Sequence, residues 1–376
     1  MIELFRNEER FWPSDEQTLL LKACLLEEEK AFAAWEYWYA RANTDHLDQG
    51  SFRLIPLLYK RLRKMGVRKK IMNLFAGIYR MAWYKNRTLI YSATRLIKIL
   101  DDHGISSLLL KGGAHSMLYY KDFGVRPMWD IDIMVKTNQV IDAHEVLEKA
   151  GWHPVDRSIR QHLPYRHASS YRNAEGMELD LHWHLLHECC DREADADFWA
   201  QAKPVDLHGA SFYVLSATDQ LFHVCIHGTV WSIVPTFRWI PDAMAIINNN
   251  EFAVSWHRLI AQAKKRHLLL RLREALAYLK DNFEADIPDA VLTKLYGTTP
   301  TRFERIDYRY NRRNNTRSVF GRIMLTLLQY YRMSNGLNWI KSIVAFPSFV
   351  TYKYNLSHRR QIPRYVVRKI FSVLMQ

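Results

Sequence analysis

The segment "DIDIMV", residues 130–135, constrains this chain more than any other. Its aliphatic residues suit a strand, yet it carries Asp130 and Asp132, and carboxylates are depleted in strands. Side chains two apart on a strand share a face. The two carboxylates therefore project together, with Ile131, Ile133 and Val135 opposite. Neighbouring carboxylates repel, and burying them is costly unless a cation lies between them. A polar edge strand shows the same alternation, so the upstream residues matter. "ISSLLLK", residues 105–111, is a short apolar run bounded by glycines and reads as a strand. Lys111-Gly112-Gly113 follows it, then a short helix in "AHSMLYYK". A glycine-rich turn between strand and helix lets backbone N–H groups approach a phosphate.

Downstream, "MELDLHWHL" (177–185) repeats the alternation, with Glu178, Asp180, His182 and His184 on one face. Together with "RHASSYR" (166–172) it is expected to form a strand pair around the turn "NAEG". If it lies beside residues 130–135, Asp180 becomes a third carboxylate. Such a set suits Mg²⁺, a hard ion that takes carboxylate oxygens and keeps waters for substrate phosphates. Two such ions support in-line attack at phosphorus. Lys111 would add a point charge for phosphate. Arg126 would supply a planar fork, or else brace the Asp pair. Glu178 is more simply a solvent-facing strand residue. His182 is expected to hydrogen-bond Asp180 or a phosphate. His223, His227, Arg238 and Asp242 either close the back of the cleft or form a buried network between helices. The run 182–190, "HWHLLHECC", offers zinc ligands in a spacing that matches no standard zinc motif.

The rest of the chain reads as mostly helical. Residues 13–41 carry one helical pattern, opened by a capping box of Ser14 and Gln17. Further helices are expected in "FRLIPLLYKRLRKMG", from Lys70 to Gly104, and over 138–151 with Asn138 as cap. From about residue 200 helical periodicity returns. The expected fold class is α+β: a small mixed-sheet core flanked by N-terminal and C-terminal helical regions. The expected division is 1–104 helical, 105–200 the α/β core, 201–300 a helical subdomain and 301–376 a basic, aromatic-rich helical tail.

Charge is uneven. The chain carries a net +14. Residues 301–376 hold 15 Lys/Arg against Glu304 and Asp307, leaving 38 basic and 37 acidic residues elsewhere. The excess belongs to the tail. It suits a solvated basic surface, or an anionic partner such as nucleic acid, an acidic protein or a membrane surface. No apolar run is long enough to span a bilayer. Four cysteines are too few for a disulfide scaffold. A cytoplasmic protein, peripheral to the membrane at most, is the expectation.

Strand, Lys111-Gly112-Gly113, helix, "RPMWDIDIMV" and then "MELDLHW" resemble the polymerase-β-type nucleotidyltransferase superfamily, and within it the bacterial group of uncharacterised nucleotidyltransferases. Its mark is a Gly-Gly or Gly-Ser turn, an Asp-x-Asp pair and a third Asp on a later strand. Gly112 and Gly113 match the turn, Asp130 and Asp132 the pair, and Asp180 the third position. Gly113 stands where many members carry Ser, and bulky Trp129 precedes the first Asp. "ATDQLFHVCIHG" and "FRWIPDAMAI" are similar to the group's helical C-terminal half. The resemblance implies an enzyme using Mg²⁺ (or Mn²⁺) to move a nucleoside monophosphate from a nucleoside triphosphate, ATP first among candidates, to a hydroxyl. It implies Asp130, Asp132 and Asp180 as metal-binding and catalytic residues, and Lys111, Gly112 and Gly113 as holders of the triphosphate. The acceptor stays open among RNA, protein, a small molecule and a sugar. The rival readings are an inactive binding protein on the same fold and a zinc protein built on 182–190.

Overall fold

The computed structural model describes residues 12–156, 159–191, 193–207, 209–229, 237–312, 324, 326–331 and 339–374. Part of the basic tail, including 313–323 and 332–338, lies outside the described residues. Helices α1 (Asp15–Leu25) and α2 (Glu28–Tyr39) open the chain. The Ser14–Gln17 capping box forms as expected. The single helix expected over 13–41 is instead broken at Leu26, whose backbone is extended. The Arg61 guanidinium takes the Leu26 carbonyl freed by that break. Short α3 (Gln49–Phe52) precedes α4 (Ile55–Lys64), where Pro56 occupies the first turn and loses no intrahelical bond. Then comes the long α5 (Ile71–Asp102).

The α/β part keeps the expected strands and helices in order and adds a short strand and a short helix before the last strand pair. It runs through β1 (Ser107–Leu109), α6 (Lys111–His115) with a π-turn over Ser116–Tyr120, β2 (Asp130–Val135), α7 (Val140–Lys149), β3 (His153–Pro154), α8 (Ile159–His162), β4 (Ala168–Arg172) and β5 (Glu178–His182). Asn138 lies within a 3₁₀ turn, Thr137–Gln139, and does not cap α7. Beyond α9 (Ala196–Gln201) the helical expectation fails locally. β6 (Lys203–Leu207) and β7 (Ala210–Val214) form a hairpin, and β7 joins β1 in parallel, so the sheet extends past residue 200. The signal was the alternation of buried Ala210, Phe212 and Val214 with exposed Ser211 and Tyr213. Helices α10 (Ala217–Gly228), α11 (Trp239–Ile247), α12 (Trp256–Lys265), α13 (Leu269–Phe283), α14 (Asp289–Gly297) and α15 (Arg302–Arg312) follow, then helices Trp339–Lys353 and Ile362–Leu374.

Among the described residues seven strands form one mixed sheet in the order β3-β4-β5-β2-β1-β7-β6. The fold is thus α+β, a mixed sheet between helical regions. Two cores form on the sheet's two faces, and strand alternation sorts the side chains between them. Leu109, Ile131, Ile133, Val135, Leu179 and Leu181 pack with α5 and α7. Leu108, Leu110 and Met134 pack toward the N- and C-terminal helices. Asp130 and Asp132 share Met134's face. They therefore point toward the space between the sheet and the flanking helices.

Candidate active site

Pairing register brings the acidic residues together. β2 and β5 lie side by side in parallel, with Asp130 opposite Glu178 and Asp132 opposite Asp180. Asp132 is 6% exposed, while Asp130 and Asp180 stay partly open to solvent. Three groups converge on this pair. Lys111 Nζ lies 2.5 Å from Asp132 Oδ1, and His182 Nε2 is 3.1 Å from the same oxygen. Ser170, on β4, donates to Asp180 at 2.6 Å. His182 thus bonds Asp132, not Asp180 as its position had suggested.

The electrostatics follow from this crowding. Burial opposes ionisation of Asp132, but Lys111 and His182 outweigh it and hold the carboxyl well below the usual range. Asp130 moves the other way: burial, then the adjacent Asp132, push it up against the pull of Lys111. Burial disfavours the Lys111 ammonium, yet Asp132 more than compensates and its pKa rises. Lys111 is 24% exposed on its side chain and sits at φ +44°, a left-handed backbone that non-glycine residues rarely adopt. That conformation turns the chain from β1 into α6 and aims the amine at β2.

Oxygen and nitrogen donors of Asp132, Asp180 and His182 lie within 4.8 Å of one another, the one such set of three among the described residues. Two carboxylates and an imidazole are suitable donors for Mg²⁺ or Mn²⁺, so the residues present fit a divalent ion. Asp130 lies beside this set and outside it.

Other expected site residues go elsewhere. The Arg126 guanidinium makes a two-pronged pair with Asp242 on α11, both bonds at 2.7 Å. Tyr120 donates to the same carboxylate at 3.0 Å, and His115 lies 3.4 Å from it. Asp242 is therefore a buried network tying α11 to the α6 segment. Packing around Gly112 requires glycine there. A Cβ there would sit 2.4 Å from an Arg126 nitrogen and 2.7 Å from the Met128 sulfur. At Gly113 a Cβ would press on Leu109 at 2.9 Å. β5 ends at His182, and His184 turns away to pair with Asp195 at 2.7 Å. His187 meets Glu188, so the run 182–190 disperses its imidazoles among separate acids. His223 is buried on α10. Burial, the neighbouring His227 and Lys111 depress its pKa strongly.

Asn86, buried in the middle of α5, had drawn no attention in the sequence. Its amide donates to the carbonyls of Phe123 (2.6 Å) and Arg126 (2.7 Å), and its oxygen accepts from Met128 N–H (2.9 Å). One side chain thus holds the loop that delivers Arg126, Met128 and the start of β2. No local pattern marks it; an asparagine on the buried face of a long helix was the available signal.

Residues 51–284 match the family described as uncharacterised nucleotidyltransferase, and this chain belongs to that family. No curated protein matches the chain. Among solved structures it is similar to an antigenic nucleotidyltransferase-like protein from Paracoccidioides brasiliensis, at 15% identity and a TM-score of 0.35, over 55% of this chain and 96% of that one. No helix among the described residues is long and apolar enough to cross a membrane.

Proposed function

We propose that the chain is a nucleotidyltransferase that uses a divalent ion, Mg²⁺ or Mn²⁺, and moves a nucleoside monophosphate from a nucleoside triphosphate to a hydroxyl acceptor. The observation that carries this is the register placing Asp180 beside Asp132, with Lys111 from the strand–helix turn on the same carboxylate. Asp132, Asp180 and His182 would hold the ion, with Asp130 at its edge. The ion would neutralise charge on the transferred phosphate. The acceptor oxygen forms a bond to the α-phosphorus, the bond to the bridging oxygen breaks, and pyrophosphate leaves with the electron pair. The acceptor proton passes to the Asp180 carboxylate. Lys111 is the mobile cation: it sits on Asp132 here and moves to the phosphates when donor and ion enter.

The test is titration of ATP, GTP, CTP and UTP into the protein with Mg²⁺ and with Mn²⁺, beside Asp130→Ala/Asp132→Ala. Ion-dependent binding of a triphosphate, lost in the folded variant, is expected. Binding that is equal in the variant would remove the acidic pair from the function.

A further inference from the structure

Two arginines meet beside Asp130 with hydrogen-bonding capacity that the protein does not use. Arg53 directly follows α3, and Arg238 directly precedes α11. They are brought together because Gly50 lies against the Phe237 ring, where a Cβ would be 2.2 Å from a ring carbon. Arg238 donates through one terminal nitrogen to the Pro127 carbonyl at 2.8 Å. Its Nε is buried without a partner, and so is the Nε of Arg53. A buried donor left unpaired is costly, so two of them at one place call for an acceptor. Burial, then repulsion from Arg126 and Arg53, lowers Arg238 to about 10, while Asp130 and Asp242 pull the other way. Asp242 does not relieve the pair, because Arg126 donates to both of its oxygens.

Trp129 stands at the mouth of this cluster, 40% exposed and immediately before Asp130. Its ring lies 5.2 Å from the Arg53 guanidinium carbon and 4.4 Å from the Lys85 ammonium on α5. Arg53, Lys85 and Arg238 thus bring three positive charges to one side of Asp130. Planar guanidinium forks match phosphate oxygens in two-pronged geometry, and a multiply charged anion answers three cations better than a single carboxylate does.

We infer that Arg53 and Arg238 form a polyphosphate subsite, with Lys85 and Trp129 at its rim, that takes the β- and γ-phosphates of the donor. This rests on the nucleotidyl-transfer reading, and it assigns part of the donor site to the N-terminal helices. The subsite can be probed apart from the chemistry by titrating inorganic pyrophosphate, without added metal, into wild type, Arg53→Gln, Arg53→Lys and Arg238→Gln. Circular dichroism and thermal unfolding establish that each variant is folded. The expected result is pyrophosphate binding that falls at least about tenfold in both Gln variants and returns in part with Arg53→Lys, a tenfold loss being about 1.4 kcal/mol. Among the described residues the Arg53 side chain donates to no backbone carbonyl, so its variant reports the anion even if Arg238→Gln disturbs the Pro127 contact. Unchanged pyrophosphate affinity in folded Arg53→Gln, or no binding by wild type, would overturn the subsite. The two readings fail separately. Arginine-dependent pyrophosphate binding in a protein that never transfers labelled nucleotide keeps the subsite and loses the transferase. Transfer with an unchanged KM for the triphosphate in Arg53→Gln does the reverse.

Discussion

The segment from Lys111 to Tyr120 runs between two buried carboxylates that have been treated very differently. At one end, Asp242 is closed: Arg126 grips it with two bonds, Tyr120 donates to it and His115 lies against it. At the other end, Asp132 meets one lysine and one histidine on a single oxygen, and two further carboxylates stand next to it. Both carboxyls are held well below the usual range, against burial, by their cations. The difference lies in what is left over. Asp242 has its lone pairs satisfied within the protein, as a structural ion pair must. Asp132 sits among excess negative charge, beside a lysine that stays partly open to solvent. A protein that needed only to brace its sheet would build the first kind of centre twice.

The largest effect should come from breaking the closed centre. We predict that Asp242→Ala costs about 3–5 kcal/mol, because it strands a buried guanidinium. Urea denaturation measures this directly. The sign with pH follows from the depressed carboxyl. Its stabilisation is fully present above the unfolded-state value near ~4 and drains away as pH falls below it. The acid limb of the stability curve should therefore flatten in Asp242→Asn relative to wild type. An Asp242→Ala variant as stable as wild type would erase the distinction drawn between the two centres.

Next in size is the brace shared by both. Asn86→Ala removes three bonds to backbone groups of the 123–128 loop, and we predict a loss of about 2–3 kcal/mol, since two carbonyls and an N–H are left without their partner. Asn86→Asp keeps the acceptor for Met128 but loses both donors. If loop placement matters to the open centre, triphosphate binding should weaken in both variants even at temperatures where they remain folded. Binding that tracks only the folded fraction would make Asn86 a stability residue and no more.

The contrast also explains what could be read in advance. The open centre was legible because strand periodicity is local: Asp130 and Asp132 two apart, and Asp180 on a strand of the same pattern, need only a pairing to meet. The closed centre was not. Arg126 and Asp242 are 116 residues apart, and neither lies in a pattern that names the other. The sequence therefore offers Arg126 as a phosphate fork or as a brace for the Asp pair, while its carboxylate partner lies on α11. Gly112 and Gly113 look the same in sequence whether they admit a phosphate or a neighbour's side chain, and Arg126, Met128 and Leu109 supply the latter demand. The β6–β7 hairpin was lost for a related reason: "KPVDLHGASFYV" is short and follows a helix, and its membership of the sheet is decided by β1, almost a hundred residues earlier.

At the open centre the stability effect should be small and the functional effect large. We predict that Asp132→Asn changes stability by about 1 kcal/mol or less, because Lys111 is partly solvated and still feels Asp130 and Asp180. A buried pair normally loses far more when one partner is removed. Ion-dependent triphosphate binding should nevertheless disappear. A loss of several kcal/mol, comparable to that at Asp242, would mean that Lys111 and Asp132 are a structural pair after all, and the mobile-cation role of Lys111 would go with it.

The smallest effect marks the edge of the site. Glu178 lies two residues before Asp180, opposite Asp130, and shares the acidic face. Its carboxylate is about half exposed and pairs with Arg172 across the β4–β5 ladder. An exposed cross-strand pair contributes about 0.2–1 kcal/mol at most, and salt screens it. Glu178→Gln should therefore shift stability by no more than that, and leave triphosphate affinity and its dependence on the divalent ion unchanged. The measurement discriminates because Glu178 and Asp180 have the same charge, two residues apart on one strand. If bulk negative charge on this face were what attracts the ion, removing Glu178 would weaken binding measurably. If the donor set of Asp132, Asp180 and His182 is what holds it, only the residues within that 4.8 Å cluster should matter, and the open centre ends at Asp180.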